Sequence, residues 1–136
     1  MNGSLEMVER KTVYFETPGK QNTESVLELV KNYAQAEGIR DIVVASTTGE
    51  TGVKASKIFK GFNVVVVSHH VGFQEPGVWE MKEENRKKIL ENGAKILAAT
   101  RALSGVERAM RKNFGTFMPV DFIADTFGLS VEGRKV

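Results

Sequence analysis

The chain contains no cysteine, only three prolines and almost no net charge over its 136 residues. The lack of cysteine excludes disulfides, thiolate nucleophiles and sulfur-ligated metals, and it fits a reducing compartment. Lys and Arg number 19 against 17 Asp and Glu, and the resulting charge of +2 is too small to indicate a nucleic-acid partner. No apolar run approaches the ~20 residues that a membrane-spanning helix requires. We therefore expect a soluble, cytoplasmic protein with neither a membrane nor a nucleic acid as partner.

The order of the predicted elements indicates one α/β domain. Residues 1–10 contain acids and no apolar stretch, so we expect an N-terminal extension that is not a signal peptide, and residues 11–136 form the domain. The alternation of strands and helices predicts a three-layer, doubly wound, mostly parallel sheet. Its strands should be covered on both faces, because their apolar runs do not alternate. Strands are predicted at 41–45, 62–67 and 95–99, with a β-prone run at 12–15 and the start of another strand at 134–136, and helices near 22–37, 51–60, 82–91, 105–113 and 119–127.

A turn rich in hydroxyl groups and glycine follows the strand at 41–45. Such a turn before a helix directs backbone N–H groups at one point, which favours phosphate, and its glycines would let a ligand approach closely. Lys54 is placed to add positive charge. The turn lacks the spacing of a P-loop or a dinucleotide fingerprint. The alternative is a turn that only caps the helix, with Thr51 as N-cap. The candidate binding residues are Ser46, Thr47, Thr48, Gly49, Thr51 and Gly52.

Several motifs follow one another in an order that resembles a known domain group. Residues 42–52 read IVVASTTGETG and residues 64–73 read VVVVSHHVGF, with shorter supporting segments at 13–24, 93–96 and 103–108. Together they resemble the pyruvate kinase C-terminal-domain-like family, within it a set of stand-alone, mostly archaeal, uncharacterised proteins. The resemblance runs from about Lys11 to the end of the chain. Members of that set usually continue past the position that matches Val136 with further strands, so we expect a smaller sheet or a domain that lacks the last strands.

The resemblance implies a function and a cofactor. It implies a ligand-binding domain that holds a phosphate-containing ligand, flavin mononucleotide (FMN), at the 46–52 turn. Two alternatives stay open: a flavin-dependent oxidoreductase, and a non-catalytic domain that senses a sugar phosphate, as in pyruvate kinase. No residue is assigned a catalytic role, and an ATP-dependent kinase is disfavoured because no P-loop or Mg²⁺-binding acid motif is recognisable. A sheet edge left exposed by the missing strands would favour a homo-oligomer.

Further candidates follow the other strands, since parallel sheets bind ligands at the carboxyl ends of their strands. Adjacent His69 and His70 point in different directions, so we predict no metal site. Either ring is expected to contact a bound phosphate or flavin, or else to be hydrogen-bonded within its loop. The ring of Phe73, four residues after His69, or that of Trp79 could stack on a planar ligand or cover the core. A helix start near 105 is a second-rank site that a capping box also explains. The remaining candidates are Gly72, Phe73, Ser104 and Gly105.

Overall fold

A computed structural model describes residues 9–100 and 105–129 of the chain. This part contains three strands and five α-helices, and a short 3-10 helix at Lys20–Asn22 precedes the first of them. The α/β class and the all-parallel arrangement are confirmed: the described part has an open three-stranded sheet with five α-helices. The elements are α1 (Thr23–Ala36), β1 (Asp41–Ala45), α2 (Glu50–Ile58), β2 (Asn63–Ser68), α3 (Glu83–Glu91), β3 (Lys95–Ala98), α4 (Val106–Phe114) and α5 (Pro119–Gly128).

The strands pair in the order β1-β2-β3, all parallel, so their carboxyl ends lie at one edge of the sheet. The register places Ile42 beside Val64 and Val44 beside Val66. Side chains of one face of a strand recur every second residue, so these four share a face. That face is buried against Ala55 of α2, Phe59 directly after α2, and Ile89 of α3. The core therefore lies between the sheet and these two helices.

The opposite face of the sheet is apolar but open. Val43 is 62% exposed and Leu97 is 49% exposed, and Val65 and Val67 between them are only partly buried. Among the described helices, α2 and α3 make the main contacts with the strands, whereas α4 and α5 pack against each other. The expectation that β1 is covered on both faces is therefore wrong for this part of the chain. An unbroken apolar run shows that both faces are apolar, and it does not show what packs on each.

Two local expectations also differ from the structure. Residues 12–15 form no strand, and Tyr14 among them is 88% exposed. The apolar side chains of helix α1 are only partly covered: Leu27 and Ala34 are buried but Tyr33 is 49% exposed, because α1 packs mainly on α2 and not on the sheet. The strand predicted at 134–136 lies outside the described residues. None of the described helices is long and apolar enough to cross a membrane.

Candidate functional site

A groove of about 460 Å³ lies over the open face of the sheet, toward the carboxyl ends of the strands. Its floor is apolar and consists mainly of valine and leucine side chains from all three strands. Its rim is polar and comes from the last residue of β2 and from the segments that follow the three strands. The floor residues are Val43, Ala45, Val65, Val67, Leu97 and Ala99, and the rim residues are Ser46, Thr47, Ser68, His69 and Thr100. We call this space the edge groove.

Ser46 joins the end of β1 to the start of α2. Its backbone N–H donates to the carbonyl of Val67 at 2.9 Å, which extends the pairing of β1 with β2. Its Oγ accepts a hydrogen bond from the N–H of Gly52 at 3.1 Å, satisfying one of the N–H groups that a helix start leaves without a partner. The helix begins at Glu50 with Gly49 in the N-cap position. The alternative with Thr51 as N-cap is therefore wrong, and the capping hydroxyl belongs to Ser46.

Both glycines of the turn are explained by packing. A Cβ at Gly49, whose φ is +88°, would lie 2.5 Å from Sδ of Met81 and 2.7 Å from Cβ of Asn85. A Cβ at Gly52 would lie 2.7 Å from Cγ1 of Val66 and 2.9 Å from a methyl of Ile89. Neither glycine lines the edge groove. Their small size lets α2 lie close to β2 and to the start of α3.

The rest of the turn is bound to the start of α3. The carbonyl of Thr48 accepts hydrogen bonds from the N–H of Lys82 at 3.2 Å and from Nδ2 of Asn85 at 3.0 Å. Glu50 forms ion pairs with Lys82 at 3.0 Å and Lys20 at 3.8 Å. The hydrogen bond from Lys82, its charge and the charge of Lys20 hold the pKa of the Glu50 carboxyl below its ordinary value.

Lys54 does not turn toward the groove. Its Nζ lies 2.8 Å from Oε1 of Glu24 on α1, and this hydrogen bond and charge lower the pKa of Glu24. The lining of the edge groove contains neither Lys nor Arg among the described residues. A phosphate bound here would therefore meet hydroxyl and backbone N–H donors.

His69 is the histidine that lines the edge groove. Its Nδ1 lies 2.7 Å from Oε2 of Glu80, and both side chains are mostly buried, with 29% and 18% exposed. The ring of Phe73 stacks on His69 with centroids 3.9 Å apart and planes tilted by 31°. His70 meets the edge of the same Phe73 ring at 5.6 Å and does not line the groove. Only one of the two adjacent histidines therefore lines the groove, although both contact Phe73.

The loop between β2 and α3 is fixed to the strand by a second set of contacts. Nε1 of Trp79 donates to Oγ of Ser68 at 2.9 Å, and that hydroxyl donates to the carbonyl of His69 at 3.0 Å. The N–H of Gly72 donates to the carbonyl of Val78 at 2.9 Å and closes the loop on itself. Trp79 packs at the border of the core, which agrees with the covering role considered for it and not with a groove position.

Three of the predicted site residues meet at the edge groove: Ser46, Thr47 and His69. Gly105 stands before α4 and Thr51 lies in the first turn of α2, and neither lines the groove. Ser104 lies outside the described residues. The rim also contains residues that sequence reasoning missed, Ser68 and Thr100, although Ser68 ends β2 and Thr100 follows β3 at the edge where ligands bind. Glu80 was missed as well, and 11 residues separate it from His69 without any motif that joins them.

Comparison with models of known protein families finds none that matches this chain. The resemblance to the pyruvate kinase C-terminal-domain-like family stays a prediction from its motifs. Among the residues that the structure describes, no three His, Asp or Glu side chains converge as metal ligands.

Proposed function

We propose that this protein binds a small phosphate-containing ligand, FMN, in the edge groove. One observation carries the proposal: the groove joins an apolar floor to a rim of hydroxyl groups beside the start of α2. A planar, mostly apolar ring system suits the floor, and a phosphate suits the rim. The volume of about 460 Å³ falls in the usual range for small-molecule sites.

The phosphate is assigned to the end of the groove at Ser46 and Thr47. Both residues line it, and they lead directly into α2, whose first N–H groups and positive dipole end favour an anion. The acidic Glu50 in that first turn would oppose an anion, but Lys82 and Lys20 offset its charge. The choice of a flavin over another phosphate compound rests on the family resemblance of residues 42–52 and 64–73.

The test is a fluorescence titration of the purified protein with FMN and, in parallel, with riboflavin, which lacks the phosphate. We expect FMN to bind at least about tenfold more tightly than riboflavin, because riboflavin cannot form the charge-assisted hydrogen bonds that the phosphate of FMN accepts. Thr47→Asp should weaken the binding of FMN by a factor of about ten, because its carboxylate repels the phosphate, and should leave the affinity for riboflavin nearly unchanged. Thr12→Asp, on an exposed segment, is the matched control for the added charge.

Three results would overturn parts of this proposal. Equal affinities for FMN and riboflavin would show that the protein has no site for the phosphate of FMN. Equal weakening of both flavins by Thr47→Asp would show that the phosphate lies elsewhere. Uptake of neither flavin, together with binding of a sugar phosphate that Thr47→Asp abolishes, would replace FMN by the non-catalytic sugar-phosphate alternative.

A further inference from the structure

The contact between His69 and Glu80 determines which ring nitrogen of a neutral His69 carries the proton. Nδ1 is 2.7 Å from a carboxylate oxygen, which accepts hydrogen bonds and does not donate them when ionised. A neutral His69 therefore has its proton on Nδ1, and Nε2 presents a lone pair. The described residues give Nε2 no hydrogen-bond partner, and the side chain lines the edge groove.

The surroundings of the pair hold the imidazole in one orientation. Phe73 stacks on the ring at 3.9 Å, and the Trp79–Ser68 hydrogen bond ties the loop that carries Glu80 to the end of β2. Glu80 is 18% exposed, so water competes weakly for its carboxylate. A carboxylate that orients a partly buried imidazole in this way is the arrangement by which enzymes set a histidine as proton acceptor.

We propose that His69 is the proton-accepting residue of the edge groove and that Glu80 is its positioning residue. The inference rests on the proposed function for the presence of a ligand. It adds which chemical group the ligand carries at the end remote from its phosphate. Nε2 meets an O–H or N–H group of the ligand. The negative charge of Glu80 and the missing proton on Nε2 both disfavour a phosphate there, so the ligand lies with its phosphate toward Ser46 and its hydrogen-bond donor toward His69.

With Glu80 beside it, His69 can accept a proton from the ligand as well as a hydrogen bond. The ligand's O–H or N–H bond breaks with its electron pair left on oxygen or nitrogen, and a new N–H bond forms at Nε2. The imidazolium so formed stays beside the Glu80 carboxylate, which balances its charge. The ligand class is therefore a phosphate compound with a hydroxyl or ring N–H at the end remote from the phosphate.

The first measurement needs no ligand. Nitrogen-15 NMR of the free protein in alkaline buffer, where imidazole is neutral, reports which nitrogen of each histidine carries the proton. We expect His69 as the Nδ1-protonated form, and we expect Glu80→Leu, which removes the acceptor beside Nδ1, to abolish that preference. Glu75→Leu, on an exposed part of the same loop, is the control and should leave the preference intact. An Nε2-protonated His69 in the wild type would overturn the proposal even if FMN binds.

The second measurement is the FMN titration of histidine variants. His69→Asn keeps a donor for Glu80 but removes the acceptor at the Nε2 position, so it separates a role in binding from a role in holding the loop. We expect roughly five- to tenfold weaker FMN binding in His69→Asn, partial recovery in His69→Gln, whose amide oxygen reaches further, and a change below twofold in His70→Asn. Unchanged affinity in His69→Asn would overturn the proposal. Failure of the wild type to bind FMN would instead remove the proposed function, and the NMR result on the free protein would still decide the orientation of His69.

Discussion

The Oγ of Ser46 accepts a hydrogen bond from the N–H of Gly52 at 3.1 Å, and Ser46 lies four residues before Glu50, where the helix that contains Gly52 begins. The hydroxyl is therefore a cap that reaches into the first turn from the end of the preceding strand. Ser46 is 8% exposed and also lies on the rim of the edge groove. One residue thus fixes the strand-to-helix turn and contributes to the candidate site.

Ser46→Ala should lower the free energy of unfolding by about 1 kcal/mol, the usual effect of removing a helix-capping hydroxyl. Thr47→Ala, the neighbouring substitution on the same rim, should stay within about 0.5 kcal/mol of the wild type, because no capping bond is lost. Urea unfolding at equal protein concentration measures both. Equal destabilisation by the two substitutions would show that the bond from Gly52 does not stabilise the turn.

Val66→Ala and Val43→Ala test the two faces of the sheet separately. Val66 is fully buried under α2 and α3, so its truncation should lower the free energy of unfolding by about 2 kcal/mol through lost burial and a cavity. Val43 is 62% exposed on the open face, so its truncation should change stability by less than about 0.5 kcal/mol. Both values come from the same urea titrations. A cost at Val43 similar to that at Val66 would mean that the open face is covered in solution.

The strands and most helices could be predicted from the sequence because their signals are local. The run at 62–67 is valine-rich and ends at a polar residue, and it forms β2 as Asn63–Ser68. The coverage of the sheet could not be predicted in the same way. Val43 and Val44 are identical side chains next to each other, yet one is exposed and one is buried, because helices α2 and α3 contact only one face. That difference depends on the placement of the helices, which no local pattern reports.

The candidate site was predictable to a similar extent. Ser46, Thr47 and His69 were found because each follows a strand, and position in the chain identifies the carboxyl edge of a parallel sheet. The packing role of Gly49 and Gly52 could not be predicted, since a glycine that admits a ligand and a glycine that admits a neighbouring side chain look alike in sequence. Glu80 has no local signal at all, because only the folding of the loop at 69–82 brings it to His69.

Gly52→Ala should destabilise the protein although alanine favours a helix by about 1 kcal/mol over glycine. The new Cβ would lie 2.7 Å from Val66 and 2.9 Å from Ile89, and both side chains are fully buried, so neither has room to move freely. Overpacking of this kind costs about 1–3 kcal/mol, which outweighs the gain in helix propensity. Thermal and urea unfolding of the single variant give the sign of the net effect.

A double-mutant cycle separates the clash from any other effect of Gly52→Ala. Val66→Ala removes the methyl groups nearest the new Cβ, so the double variant Gly52→Ala/Val66→Ala should lose less stability than the two single variants added together. Strict additivity, or a stabilising Gly52→Ala alone, would show that this glycine is not needed for packing.

The ion pair between Glu50 and Lys82 should make stability depend on pH in the acid range. Lys82 lowers the pKa of Glu50 in the folded protein from its ordinary value of 4.5, so the stabilisation is complete above that value and is lost as the pH falls through the lower, folded pKa. Wild type should therefore have a higher urea midpoint than Glu50→Gln at about pH 7, and the gap should close as the pH falls through the folded pKa of Glu50. Lys82→Met should abolish most of this pH-dependent gap, and 1 M salt should shrink it, since both residues are exposed. A gap that widens on acidification would contradict the assignment, because it would require the ionised form of Glu50 to be the less favourable one in the folded state.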